Sequence, residues 1–189
     1  MPQHLPVYLS DYFLLTPLAN GRSVVFDRVC EGMSAIHSVH HPAWSDTTWP
    51  LSCFEESYIQ HLQQTHQVST RFDACLLEAV QQFRLQSTLP WYDNRTGLIL
   101  STTKGNVSLL EDQPHSPDLL LTASAKRIAT LLGWQSRPHI ISNACISGLS
   151  ALIMARRLLA EGHYRNILVV GADVVSRFIL SGFQSFHAM

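Results

Sequence analysis

The sequence predicts an α/β fold built on a parallel sheet covered on both faces, and three observations carry that expectation. The segment His139-Ile140-Ile141-Ser142, an apolar helix from Ile146 to about Ala160, and the run Asn166-Ile167-Leu168-Val169-Val170-Gly171-Ala172 follow one another as strand, helix, strand. Those strands are unbroken apolar runs rather than alternating ones, as expected of strands buried on both sides. With 189 residues, 46% hydrophobic and 14% charged, the chain can bury a sizeable core, either as one domain or as part of a larger one. It contains no internal repeat or low-complexity segment.

From the amino terminus, Pro6 to Leu15 is rich in aromatic and branched residues and is expected to form the first strand. It ends in the turn signature Thr16-Pro17-Leu18-Ala19-Asn20-Gly21. Ser23 to Trp49 alternates short apolar pieces such as Val24-Val25-Phe26 with Gly, Ser, His and Pro, which favours extended structure and loops over a long helix. Glu55 to Gln86 is helical, with a break around Val68-Ser69-Thr70. In its second half Phe72, Cys75, Leu76, Ala79, Val80 and Phe83 recur every three or four residues and form an apolar face, so Cys75 is expected in the core.

Thr96 to Thr103 is a second strand, followed by a turn at Lys104-Gly105-Asn106. Pro117 opens a helix running to Leu132, with Gly133 as its stop. A turn from Gln135 to Pro138 leads into the strand before Cys145. The helix after it holds Ile146, Leu149, Ala151, Leu152, Ile153, Met154 and Ala155 and leaves no polar face until Arg156-Arg157. A helix apolar all round is normally enclosed on all sides.

The balance of 13 basic against 14 acidic residues gives a net charge of -1, no broad electrostatic reason to expect nucleic acid or an anionic membrane. Met1 to Val7 lacks the features of a secretory signal, and no segment supplies about 18 uninterrupted apolar residues; a soluble, cytoplasmic chain is expected. Cys30, Cys53, Cys75 and Cys145 contain no Cys-x-x-Cys pair, which speaks against a disulfide framework or zinc cage. Among the ten histidines, His37, His40 and His41 cluster in a loop-like stretch without helical ligand spacing or an acidic partner, so they are taken as solvated rather than as a metal site. No Gly-x-Gly-x-x-Gly or Walker loop occurs, and no nucleotide cofactor is expected.

Cys145 carries the chemistry. It stands where an apolar strand stops and an apolar helix starts, within the small, polar run Ser142-Asn143-Ala144-Cys145-Ile146-Ser147-Gly148. A thiol there faces the positive end of a helix, which favours the thiolate and a nucleophilic role. A cysteine buried as a small hydrophobe is the competing interpretation of the local chemistry.

In these pieces the chain resembles the amino-terminal half of a β-ketoacyl-[acyl-carrier-protein] synthase, a condensing enzyme of the thiolase fold. The resemblance rests on the opening segment with Thr16-Pro17-Leu18-Ala19-Asn20-Gly21, the strand Leu98 to Lys104, the run Ser142 to Gly148, and Val169-Val170-Gly171-Ala172-Asp173, in that order. It implies that residues 1–189 form a single, incomplete thiolase-like half with a mixed, largely parallel sheet flanked by helices.

It further implies that Cys145 takes an acyl group from a thioester, its own N–H contributing to an oxyanion hole. The acyl group is then condensed with a malonyl unit on acyl carrier protein, in fatty-acid or polyketide-like synthesis. The family draws two histidines from its second half, and neither His163 nor His187 stands in the corresponding settings. Resemblance therefore leads to the expectation that this chain alone self-acylates at best.

Acyl carrier protein and acyl thioesters are the expected partners, with a homodimer or another synthase subunit covering the apolar helix. A noncatalytic thiolase-fold subunit paired with a complete synthase is the alternative, and a truncated sequence without separate function a third. Arg156, Arg157 and Arg165 are read as a solvated helix end rather than a carrier-protein surface.

Overall fold

The structure, a computed structural model, describes residues 6–134 and 136–187. Residues 6–14 form no strand; the segment meets regular structure only at a bridge between Leu15 and Asn20. Tyr8 and Leu9 are exposed, which corrects the expected first strand. β-propensity measures fit to a half-buried pleated surface; residues 6–10 are all exposed, and although Asp11, Phe13 and Leu15 are half-buried, among the described residues the segment pairs only through the Leu15–Asn20 bridge.

The next stretch is also more regular than expected, since Arg22–Cys30 forms a helix (α1) with no buried residue. It is followed by an antiparallel pair, β1 (His37–Val39) and β2 (Trp49–Leu51). The helical region from Glu55 does break where the sequence predicts. Helix α2 (Glu56–His66) stops at Gln67, whose φ of 53° is left-handed, and α3 (Arg71–Gln86) restarts behind Thr70, whose side chain accepts from the Asp73 N–H.

Strand β3 (Thr96–Ser101) is buried at every position. A short helix α4 (Leu109–Asp112) follows, and a 3-10 turn at Pro117–Leu119 precedes α5 (Leu121–Leu132). Gly133 caps α5 with φ 69°, the left-handed conformation that glycine adopts without cost. Then come β4 (His139–Ile141), a 3-10 turn (Ala144–Ile146), α6 (Ser147–Ala160) and β5 (Asn166–Gly171). The last helix, α7 (Arg177–Ser185), is additional to the elements expected from the sequence; Ser176 caps it by accepting from the Ile179 N–H at 3.4 Å.

Strands β3, β4 and β5 form one parallel sheet in the order β4-β3-β5. The antiparallel element stands apart, in the β1-β2 pair. Alternation along β3 divides the core in two. Leu98 and Leu100, with Leu168 and Val170 of β5, pack on Phe72, Leu76 and Val80 of α3 and on Ile128 and Leu132 of α5. Ile99 faces the opposite way, onto Ala151, Ala155 and Leu158 of α6. Full burial of each such aliphatic side chain is worth roughly 1.5–3 kcal/mol, so β3 is the keel of the fold.

Helix α6 is covered only on its sheet side. Ala151 is fully buried, whereas Leu149 is 61% exposed and Leu152 and Ile153 are each 45% exposed. Among the described residues no helix is long and apolar enough to cross a membrane.

Candidate functional site

All three strands of the parallel sheet end together, because Ser101 lies opposite both Ile141 and Gly171. The loops that follow therefore emerge along one edge: Thr102 to Asn106 after β3, Ser142 to Ile146 after β4, and Ala172 to Asp173 after β5. Carboxyl edges of parallel sheets are where α/β folds gather ligand-binding groups.

Cys145 lies in the 3-10 turn between β4 and α6, exposed and unbonded to another cysteine. The turn is held from within. Asn143 has φ -141° and ψ 57°, and Ala144 has φ 45°, a left-handed conformation in which a Cβ is strained. Ser147, only 5% exposed, takes the Asn143 N–H on its Oγ at 2.8 Å and donates its own proton to the Ala144 carbonyl at 2.7 Å. The Asn143 amide nitrogen Nδ2 donates to Ser150 Oγ at 3.1 Å, and the Ile146 N–H reaches the Asn143 carbonyl at 3.1 Å. Among the described residues the Cys145 N–H donates to no protein acceptor. Helix α6 has no side-chain cap at its amino end and no acidic residue in its first turn, so the partial positive charge there is not offset from within the helix.

The neighbouring loops are tied together by Asp173. Its Oδ1 accepts from Thr102 Oγ1 at 3.1 Å, from the Thr103 N–H at 3.2 Å and from Thr103 Oγ1 at 3.0 Å. Below, Gly105 turns the chain with φ 54° and leads to Asn106, which is buried and donates to Asp73 Oδ2 at 3.1 Å and Ser124 Oγ at 3.2 Å. Arg127 pairs with the buried Asp73 and with Asp118. The loop after β3 is thus anchored to α3 and α5 by a partly buried ionic network. Sequence reasoning picked out the Cys145 run but missed the roles of Asn143, Ser147, Thr102 and Thr103. A serine two residues beyond a cysteine at a helix start was the available signal.

The other cysteines stand in different environments. Burial pushes the Cys75 thiol up to about 11, with Arg71 lowering it and Glu78 raising it by smaller amounts. Burial also raises Cys53, partly offset by Arg71. Cys30 is exposed on α1.

Two cavities, of about 420 and 160 Å³, meet at Thr16, Pro17, Cys53 and Phe54, and the smaller reaches Asp173 at the carboxyl edge. Cys145 lines neither. His163 lies beyond the far end of α6, roughly 20 Å of helix away from Cys145, with its side chain 3.2 Å from Glu161. His187 follows α7 with φ 51°. His37 belongs to β1, and His41 stacks on Trp44 at 3.9 Å between ring centroids. Arg156, Arg157 and Arg165 are all exposed, the first two in the later part of α6.

Residues 141–181, from the end of β4 through the Cys145 turn, α6 and β5 into α7, match the sequence model of 3-oxoacyl-[acyl-carrier-protein] synthase III. No curated protein sequence matches the chain. Among solved structures, the ketosynthase ApeO in complex with its chain length factor ApeC from Xenorhabdus doucetiae superposes with a TM-score of 0.74 at 20% identity, over 98% of this chain and 51% of that one. The ishigamide ketosynthase/chain length factor gives 0.72 at 19% identity, over 94% and 55%. A β-ketoacyl synthase from Burkholderia phymatum gives 0.65 at 16% identity, over 92% and 48%. The fold is that of the thiolase-like ketosynthases, and the chain spans about half the length of those structures.

Proposed function

We propose that this chain supplies the nucleophile half of a condensing acyltransferase of the β-ketoacyl-[acyl-carrier-protein] synthase type, with Cys145 as the acylated residue. The observation that carries this reading is an exposed thiol in a strained strand-to-helix turn, beside an uncommitted backbone N–H, on the carboxyl edge of a ketosynthase-like sheet.

In the proposed step the Cys145 thiolate attacks the carbonyl carbon of an acyl thioester. A carbon–sulfur bond forms and the carbonyl π electron pair moves onto oxygen, which accepts a hydrogen bond from the Cys145 N–H. One such preorganised donor is worth about 3 kcal/mol in the transition state. Collapse of the intermediate breaks the bond to the carrier thiol, which leaves as thiolate and takes a proton from solvent. Condensation of the acyl group with a malonyl unit needs two histidines that the resemblance locates in the second half of the fold, outside residues 1–189. Acyl carrier protein is the proposed donor.

Intact mass after incubation with octanoyl-N-acetylcysteamine tests the reading. An adduct of one octanoyl group, mapped to Cys145 and absent from Cys145→Ala, is expected. A folded chain that stays unmodified removes the nucleophile role.

A second reading, a noncatalytic subunit paired with a complete synthase, is favoured by a separate observation. Ile146 of the preceding turn and Leu149, Leu152 and Ile153 on the outer face of α6 are exposed, an apolar surface of the kind that marks association. Two of the similar structures are assemblies of a ketosynthase with a chain length factor. Co-purification of a synthase subunit with an unacylated chain would support this reading over the first; a homodimer would leave the catalytic reading in place.

A further inference from the structure

We propose that Ser147 is the positioning residue of the acyl-transfer turn. Its hydroxyl acts as a two-ended clip that holds Ala144 in the left-handed conformation and so sets the orientation of Cys145. The proposal rests on the acyl-transfer reading above and deepens it.

The argument starts from an anomaly. Alanine gains nothing from φ 45°, since its Cβ crowds the following carbonyl, and glycine or asparagine is the usual occupant of such a position. Something must hold the turn there. The Ser147 side chain is buried, and both of its hydrogen-bonding capacities are engaged on the two sides of Ala144: it accepts from the Asn143 N–H at 2.8 Å and donates to the Ala144 carbonyl at 2.7 Å. Rotation of Ala144 toward ordinary negative φ swings its carbonyl relative to the Asn143 N–H, so one oxygen atom cannot keep both partners. The Asn143 side chain adds a second latch, donating to Ser150 Oγ at 3.1 Å from the next turn of α6. The clip spans the peptide that leads directly into Cys145, so its loss displaces the thiol and its N–H together.

The experiment compares Ser147→Ala with the unsubstituted protein, purified with any chain it holds in the cell. Acylation by octanoyl-N-acetylcysteamine demands a set angle of approach, whereas alkylation by iodoacetamide responds to thiolate fraction and exposure. Ser147→Ala is expected to slow acylation of Cys145 by about tenfold or more while changing its alkylation rate by less than about twofold. Hydrogen exchange at the Asn143 amide should accelerate. Ser147→Thr, which keeps the hydroxyl, should restore acylation. Ala144→Gly, which tolerates the turn unaided, should make Ser147→Ala nearly neutral.

Unchanged acylation in Ser147→Ala, or equal losses in acylation and alkylation, overturns the proposal. Failure of the unsubstituted protein to acylate overturns the acyl-transfer reading instead. In that case exchange at Asn143 alone decides whether the clip exists, and an unaltered rate in Ser147→Ala refutes it.

Discussion

At the scale of single residues, the cysteines divide by environment, and that division can be measured. Cys145 and Cys30 are exposed, while Cys75 is buried in the face of α3 that packs against α2, with its thiol pushed up to about 11. Native protein treated with iodoacetamide at pH 8 should label at Cys145 and Cys30 and spare Cys75 until it is unfolded. The raised value also has a stability consequence. Between the ordinary thiol range near 9 and about 11, the unfolded state has released the Cys75 proton and the folded state has not. Stability therefore falls as pH rises through this window and is undiminished by this group below it. The component is on the order of 2 kcal/mol, and it should appear as a steeper loss between pH 8.5 and pH 11 in denaturant melts of the native sequence than in Cys75→Ala. The placement of Cys145 between a strand and a helix was legible in the sequence because its setting, small polar residues between an apolar strand and an apolar helix, is local. The Ser147 clip was not, because alanine at position 144 gives no hint of a left-handed turn; only the backbone reveals it.

Among the elements, α6 and the α3–α5 pair make opposite demands. The outer face of α6 leaves Leu149, Leu152 and Ile153 each 45% exposed or more, so charge placed there costs little within one chain and much in an interface. The double substitution Leu149→Glu with Leu152→Lys should leave the thermal midpoint of a monomer within about 2 °C, yet release any bound subunit. Light scattering coupled to size exclusion reads the difference, and an assembly of unchanged mass would refute this face as an interface. Between α3 and α5, Arg127 faces the buried Asp73. Arg127→Leu strands that carboxylate and should cost about 3 kcal/mol in urea unfolding, much of it recovered when Asp73→Asn is added. The break near residue 68 and strand β3 were visible in the sequence because their signals are periodic and local. Helix α1 was not, since its branched residues carry no helical stripe and none of them is buried. The expected strand at Pro6–Leu15 failed for the complementary reason, having the composition of a strand but, among the described residues, no pairing beyond the Leu15–Asn20 bridge.

Taken whole, the molecule presents β3 in the centre of a parallel sheet whose other two strands both come later in the chain. Sequence patterning foretold the strands and their parallel character, but their lateral order depends on long-range packing that no local window contains. That order imposes a schedule on synthesis. Thr96 meets its β5 partner at Asn166, so the middle of the sheet leaves the ribosome 70 positions ahead of its last neighbour, a delay of roughly four seconds or more at ordinary translation speeds. During that interval Leu98 and Leu100 can already dock on the nascent α3, whereas Ile99 stays bare until α6 emerges. The newborn chain thus passes through a half-clad stage, in which Ile99 is bare apolar surface that a chaperone could shield during the pause.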